Sequence, residues 1–241
     1  MKLQRKGTRQ SHRGVIGVES AIVMIAFVIV AAALAFVVLN MGFTTSQKAK
    51  TSIISSLSEA SSSMQVAGKV IGSGYVNAAG GGTLNVTAFP IKIASGGDNI
   101  NLDPETTAIK YVSNSLNYDN IYAGLISSAE YKSLATAVAR AASNSENTDT
   151  GEDWDLLAND PFSDETVADT AAFIYFSQSD QSAPNDILEQ GETAVLAVVY
   201  KVSERPVALD KIKIELIVPS GAALTVERQV PSITNAIVDL G

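Results

Sequence analysis

The sequence predicts an α+β fold: one long N-terminal hydrophobic α-helix followed by a β-sandwich or barrel domain. Three observations carry that prediction. Ala21 to Leu39 are nineteen consecutive residues with no charge and no hydroxyl or amide side chain. As a helix rising about 1.5 Å per residue, such a run spans about one hydrocarbon thickness. Beyond it, apolar residues recur at every third or fourth position as far as Ala67, the spacing of a helical stripe. From Met64 onward the pattern changes to short β-type runs divided by Gly, Asn, Asp and Pro. These breaks divide the chain into a leader (1–14), a helix (15–63) and a β-domain (64–241).

The leader carries Lys2, Arg5, Lys6, Arg9 and Arg13 and no acid. That asymmetry is expected to hold the amino end in the cytoplasm and to send the chain beyond Leu39 outward, as a single-pass membrane protein. A secretory signal core is usually shorter, about 7–15 residues, so the apolar run is expected to outlast any processing. Glu19 stands just before it. A carboxylate beside lipid tails is costly and usually has a partner and a role. The alternatives are a register-setting contact in a helix bundle and simple hydration at headgroup level.

The helix is expected to continue past Asn40 and Gly42 through Ala49, Ile53, Leu57, Ala60 and Met64, with Lys48, Lys50, Ser55, Ser58 and Ser61–Ser63 opposite. An anchor with a hinge near Gly42 is the competing reading. Ala31, Ala32, Ala33 and Ala35 include an A-x-A match to a signal-peptidase site. A cut there would leave an apolar stub, so these alanines are assigned to close helix packing instead.

In the β-domain, strands are expected at MQVAGKVIGSGYV (64–76), TLNVTAFPIKIA (83–94), TTAIKYV (106–112) and DNIYAGLIS (119–127). A helix is expected at 127–142. Then come AAFIYFSQ (171–178) and TAVLAVVYKV (193–202), apolar enough to be central in a sheet, and LTVERQV (224–230). In DKIKIELIV, Ile212, Ile214, Leu216 and Val218 alternate with Lys211, Lys213 and Glu215, a half-buried strand. Seven or more short strands with turn signals between them predict a sandwich or barrel.

Several of these segments also resemble a known family. RG-VIGVES (13–20) followed by an Ala/Val/Ile-rich helix is similar to the class III signal of archaeal type IV pilin-like proteins, and more narrowly to that of the archaellins. NYDNIYAG, PNDILEQGE and the closing IELIVPSGAALTVERQVP are similar to archaellin outer-domain segments. The resemblance implies an immunoglobulin-like β-sandwich on one long helix. It implies cleavage between Gly14 and Val15 by a prepilin-like aspartate peptidase, which makes Glu19 the fifth residue of the mature chain. It implies a helical homopolymer at the archaeal cell surface, the archaellum, whose precursor sits in the cytoplasmic membrane. An assembly ATPase and a polytopic membrane platform are the further partners it implies. The alternatives are an adhesive type IV pilin and a non-polymerising single-pass surface protein.

Composition bounds the chemistry. From Val15 onward there are twelve basic against twenty-five acidic residues, a net of −13, which argues against nucleic acid as a partner. The chain has no cysteine, and its one histidine, His12, lies in the leader. Without the commonest general base and the best nucleophile, an enzyme is disfavoured and no cofactor is expected. The acidic stretch with Glu152, Asp153, Asp155, Asp160, Asp164 and Glu165 lacks the spacing of a calcium loop, and solvation is its expected state. Trp154 is assigned either to anchoring that loop or to a subunit contact. Asn85-Val86-Thr87 is the single N-x-[ST] triplet and marks Asn85 as an N-glycan acceptor on an exposed hairpin, although such triplets also arise by chance.

Overall fold

A computed structural model of the chain describes residues 13–61, 64–76, 81–127, 129–142, 157, 160–162, 167–179 and 185–241. The chain divides into two units, the helix as far as Ser55 and the β-domain from Ser56.

Helix α1 runs unbroken from Arg13 to Ser61, forty-nine residues, about 74 Å at about 1.5 Å per residue. It passes through Gly42 without a hinge. One glycine costs about 1 kcal/mol relative to alanine, too little to interrupt a helix of good formers on either side. Where the helix turns polar, two hydroxyls are satisfied internally: Thr44 Oγ1 donates to Asn40 O (2.8 Å) and Thr51 Oγ1 to Gln47 O (2.9 Å). The expected end at residue 63 lies outside the described residues.

The β-domain comprises β1 (Met64–Val66), β2 (Ile71–Val76), β3 (Gly82–Ile93), β4 (Ile100–Asn101), β5 (Ala108–Ser113), β6 (Asn117–Tyr118) and β7 (Tyr122–Ile126). Helix α2 (Leu134–Ala141) follows, then β8 (Ala171–Gln178), β9 (Ile187–Leu188), β10 (Thr193–Val199), β11 (Lys211–Ile217), β12 (Leu224–Gln229) and β13 (Ile237–Asp239). The larger sheet has the order β13-β2-β3-β10-β8-β7, with β1 added along β3; the smaller is β12-β11-β5-β6, and β4 pairs with β9 apart from both. All pairs are antiparallel except β7 with β8. The two main sheets stay separate, so the domain is a sandwich and not a closed barrel.

Two apolar cores explain the sequence pattern. Between the sheets, Leu84, Phe89, Ile91, Ile174, Leu196 and Val198 meet Ile109, Tyr111, Ile212, Ile214, Leu216 and Val226. On the other face of the larger sheet, Val86, Phe173, Tyr175, Val195, Ala197 and Val199 pack under Ala137, Val138 and Ala141 of α2. Successive residues of β8 and β10 therefore enter opposite cores, which is why both strands read as unbroken apolar runs. β11 has one buried face, with Ile212, Ile214 and Leu216 inside, and so reads as an alternation.

Local expectations give way where tertiary contacts compete. The stretch 64–76 is two strands, because Ala67 N–H donates to Pro90 O and the chain jogs before β2. The helix expected over 127–142 shrinks to Leu134–Ala141: Tyr131 N–H donates to Phe176 O, which ties the approach segment to the sheet. The run 193–202 leaves the sheet at Val199 and closes in a 3-10 turn, Val202–Glu204. The short strands β4, β6, β9 and β13 are too brief to show as runs. Gly82 is required where the chain crosses close by: a Cβ there would lie 2.3 Å from Ile233 O.

Tyr200, fully buried, donates through its hydroxyl to Thr87 Oγ1 (2.9 Å) and stacks at a tilt on Tyr111, 5.5 Å between ring centroids. Burial raises both hydroxyl pKa values, Tyr111 to about 12, so they act only as neutral groups. Tyr200→Phe keeps the ring but strips Thr87 of its donor. The expected loss is about 0.5–1.5 kcal/mol of stability, read from the urea midpoint at unchanged m-value.

Candidate assembly surface

The apolar face of α1 is unsheltered. Every described large apolar side chain from Val18 to Leu57 is between 51% and 76% exposed, among them Phe27, Phe36, Leu39 and Phe43. Thirteen of these lie between Ala21 and Leu39 and surround the helix on all sides. Leaving them in water would cost about 1.5–3 kcal/mol each, tens of kcal/mol in total. A helix apolar all round belongs in a core or a bilayer. The stretch Gly17–Leu57 is long and apolar enough to cross a membrane by length and composition.

The alanines are where close approach needs them. Ala31 and Ala35 lie one turn apart on the same face, while Ala32 and Ala33 widen the small-residue surface; all four are exposed. Small residues four apart let two helix backbones approach. Glu19 is also exposed, at the amino-terminal border of the apolar run. Gly14 and Val15 fall in the first described turn of α1. Val15 and Glu19 are four residues apart, about one helical turn. Sequence reading missed Thr44 and Thr51. Both back-bond to the carbonyl one turn earlier, which satisfies those two hydroxyl donors within the helix.

The remaining candidates fare differently. Asn85 is no surface hairpin residue. It sits inside β3 at a bulge, where Ser73 faces Val86 and Gly74 faces Leu84. It is 6% exposed, and Thr87 is fully buried. Glycan attachment needs an accessible side-chain amide, which the folded domain withdraws. Of the acidic stretch, Glu152, Asp153, Asp155, Asp164, Glu165 and Trp154 lie outside the described residues. Asp160 accepts from Phe162 N–H (2.8 Å) in a local turn. Among the described residues, no three metal-capable side chains gather.

The apolar helix followed by a sandwich domain has counterparts. The family model for archaeal-type flagellin matches residues 14–228. The chain is similar to a probable flagellin 1 of Aeropyrum pernix, 35% identical over 237 residues, covering 95% of this chain and 98% of that one. In three dimensions it is similar to the archaeal flagellum of Methanospirillum hungatei, with a TM-score of 0.56 at 20% identity over 93% of this chain and 99% of that one. It is also similar to an archaeal flagellin crystal structure from Methanocaldococcus jannaschii, with a TM-score of 0.52 at 13% identity over 74% of this chain and 96% of that one. The two structural likenesses show the shared fold.

Proposed function

The chain belongs to the archaeal-type flagellins, structural subunits of the extracellular archaellum filament rather than enzymes, and from that premise we propose how its amino end drives assembly for swimming. The observation that carries the reading is the all-round apolar stretch of α1 from Ala21 to Leu39, whose large side chains are all exposed. Two environments can hide it: the bilayer, where the precursor waits, and a bundle of identical helices. Moving from one to the other changes little hydrophobic free energy, because lipid tails are as apolar as leucine. Small differences in packing and charge therefore decide the direction.

Cleavage between Gly14 and Val15 by a membrane aspartate peptidase supplies such a difference. It removes Lys2, Arg5, Lys6, Arg9 and Arg13, the charges that hold the amino end at the cytoplasmic face. It also creates an ammonium at Val15, within reach of Glu19 on the same helix or a neighbour. An ion pair set among apolar helices fixes axial register, because any slip leaves both charges unpaired. Ala31, Ala32, Ala33 and Ala35 then set how closely helices approach. Repeating one contact without closure yields a filament with helices inside and β-domains outside. An assembly ATPase and a membrane platform supply the work and the site of insertion.

Glu19→Gln tests the register contact. The amide keeps the shape and loses the charge, so filament yield is expected to fall roughly tenfold or more, as for a buried pair broken on one side. Electron microscopy of cell-surface filaments measures yield, and terminal sequencing finds the first residue, expected to be Val15. Unchanged yield and unchanged processing would overturn the role of Glu19.

A further inference from the structure

One end of the larger sheet carries an apolar patch around a cation. Arg205 lies over the Tyr75 ring, 5.6 Å from guanidinium carbon to centroid. Tyr75 is opposite Thr83, and Thr83 bridges to Val207. Tyr75, Val76, Val207 and Leu209 are 48%, 47%, 47% and 73% exposed; the pairing through Thr83 sets Tyr75 and Val207 side by side, with Leu209 two residues further on. Among the described residues Arg205 has no carboxylate partner, and its buried Nε–H finds no hydrogen-bond acceptor. Burial lowers its pKa from the ordinary arginine value, and the neighbouring Tyr75 offsets that only in part.

Leu209 is held there under strain. Its φ of +75° is the only positive value at a described non-glycine residue. It occupies the third position of a turn closed by Asp210 N–H to Val207 O (3.2 Å), a position that favours glycine. Leu209 N–H donates to Val230 O (2.7 Å), Gln229 Nε2 donates to Leu209 O, and Val207 N–H donates to Asp210 Oδ2 (2.9 Å). Three hydrogen bonds thus hold a large apolar side chain in a left-handed conformation and display it to solvent. Backbone strain of this kind clusters at functional sites, ligand clamps and switch regions.

We propose that this patch, with Leu209 and Arg205 at its centre, is a docking surface for the β-domain of a second copy of this chain. The proposal rests on the filament reading and adds a lateral contact outside the helical core. Charge complementarity selects the occupant. Residues 64–241 carry twenty-three acidic against ten basic residues, so the surface of another copy is richer in carboxylates than in cations to meet Arg205. The patch is not self-complementary, since a two-fold contact would bring Arg205 against Arg205. It therefore meets a different face of its neighbour, the heterologous contact from which open helical polymers are built. Tyr, Arg and a protruding Leu are also the kinds of side chain that anchor such contacts.

The test uses full-length subunits in filaments sheared from cells, followed by sedimentation of subunits released at fixed temperature. Leu209→Gly removes the side chain and relieves the positive φ; Arg205→Glu reverses the charge. Each is expected to accelerate release roughly tenfold or more, while thermal unfolding of released Leu209→Gly subunits stays at or above wild type. Release of both variants at the wild-type rate overturns the proposal and leaves the filament reading standing. Faster release that merely tracks a lowered melting temperature of the domain overturns it equally. A wild-type chain that yields no filaments overturns the filament reading and this proposal together.

Discussion

Val28→Asp is expected to leave cells without filaments while the β-domain still folds. Val28 lies in the middle of the nineteen-residue apolar run and is 65% exposed on α1. The main effect is therefore on the environments that shelter the helix. In a bilayer, a charge at the helix centre costs about 2.5–3.5 kcal/mol on insertion scales. In a helix bundle, an unpaired buried carboxylate costs about 3–5 kcal/mol. The second penalty recurs in every subunit, so no length of polymer escapes it. Val28→Leu, which keeps the apolar character, is the control expected to swim. Electron microscopy and motility on soft agar read the result; normal filaments built from the Val28→Asp variant would show that α1 is not enclosed.

The second large effect is in the domain. Phe173 is fully buried in the core between the larger sheet and α2, its ring 6.0 Å from that of Tyr175. Phe173→Ala removes a ring that the neighbouring strands cannot collapse to replace, since β7 and β10 hold β8 from both sides. The expected cost is about 3–5 kcal/mol, a large share of a typical total of about 5–15 kcal/mol. Denaturant unfolding of the full-length subunit in detergent, followed by near-ultraviolet circular dichroism, measures it. A loss below about 1 kcal/mol would mean that the layer under α2 is loosely packed.

Both predictions begin with residues that sequence reading already singles out, Val28 within the apolar run and Phe173 within the run 171–178. Legibility was highest where one physical demand acts along a whole segment. β11 shows its buried face as an alternation, and β8 and β10 show theirs as continuous runs. It was poorest where a partner distant in sequence decides. β13 is three residues long and exists because β2 accepts it. Asn85 looks like a surface acceptor until a bulge between β2 and β3 carries it inside. No spacing rule marks Leu209 or Arg205, because exposure, strain and a missing counter-charge are properties of the folded surface.

By itself the sequence determined that an apolar rod must be sheltered outside its own subunit and that a β-domain follows it, because hydrophobic length and periodicity are local and additive. Only the tertiary structure decided how many layers that domain has, which asparagine is withdrawn from solvent, and that a leucine is strained and an arginine left without a carboxylate partner. Those outcomes depend on register and on contacts between residues far apart in the chain, and no short window of sequence encodes them.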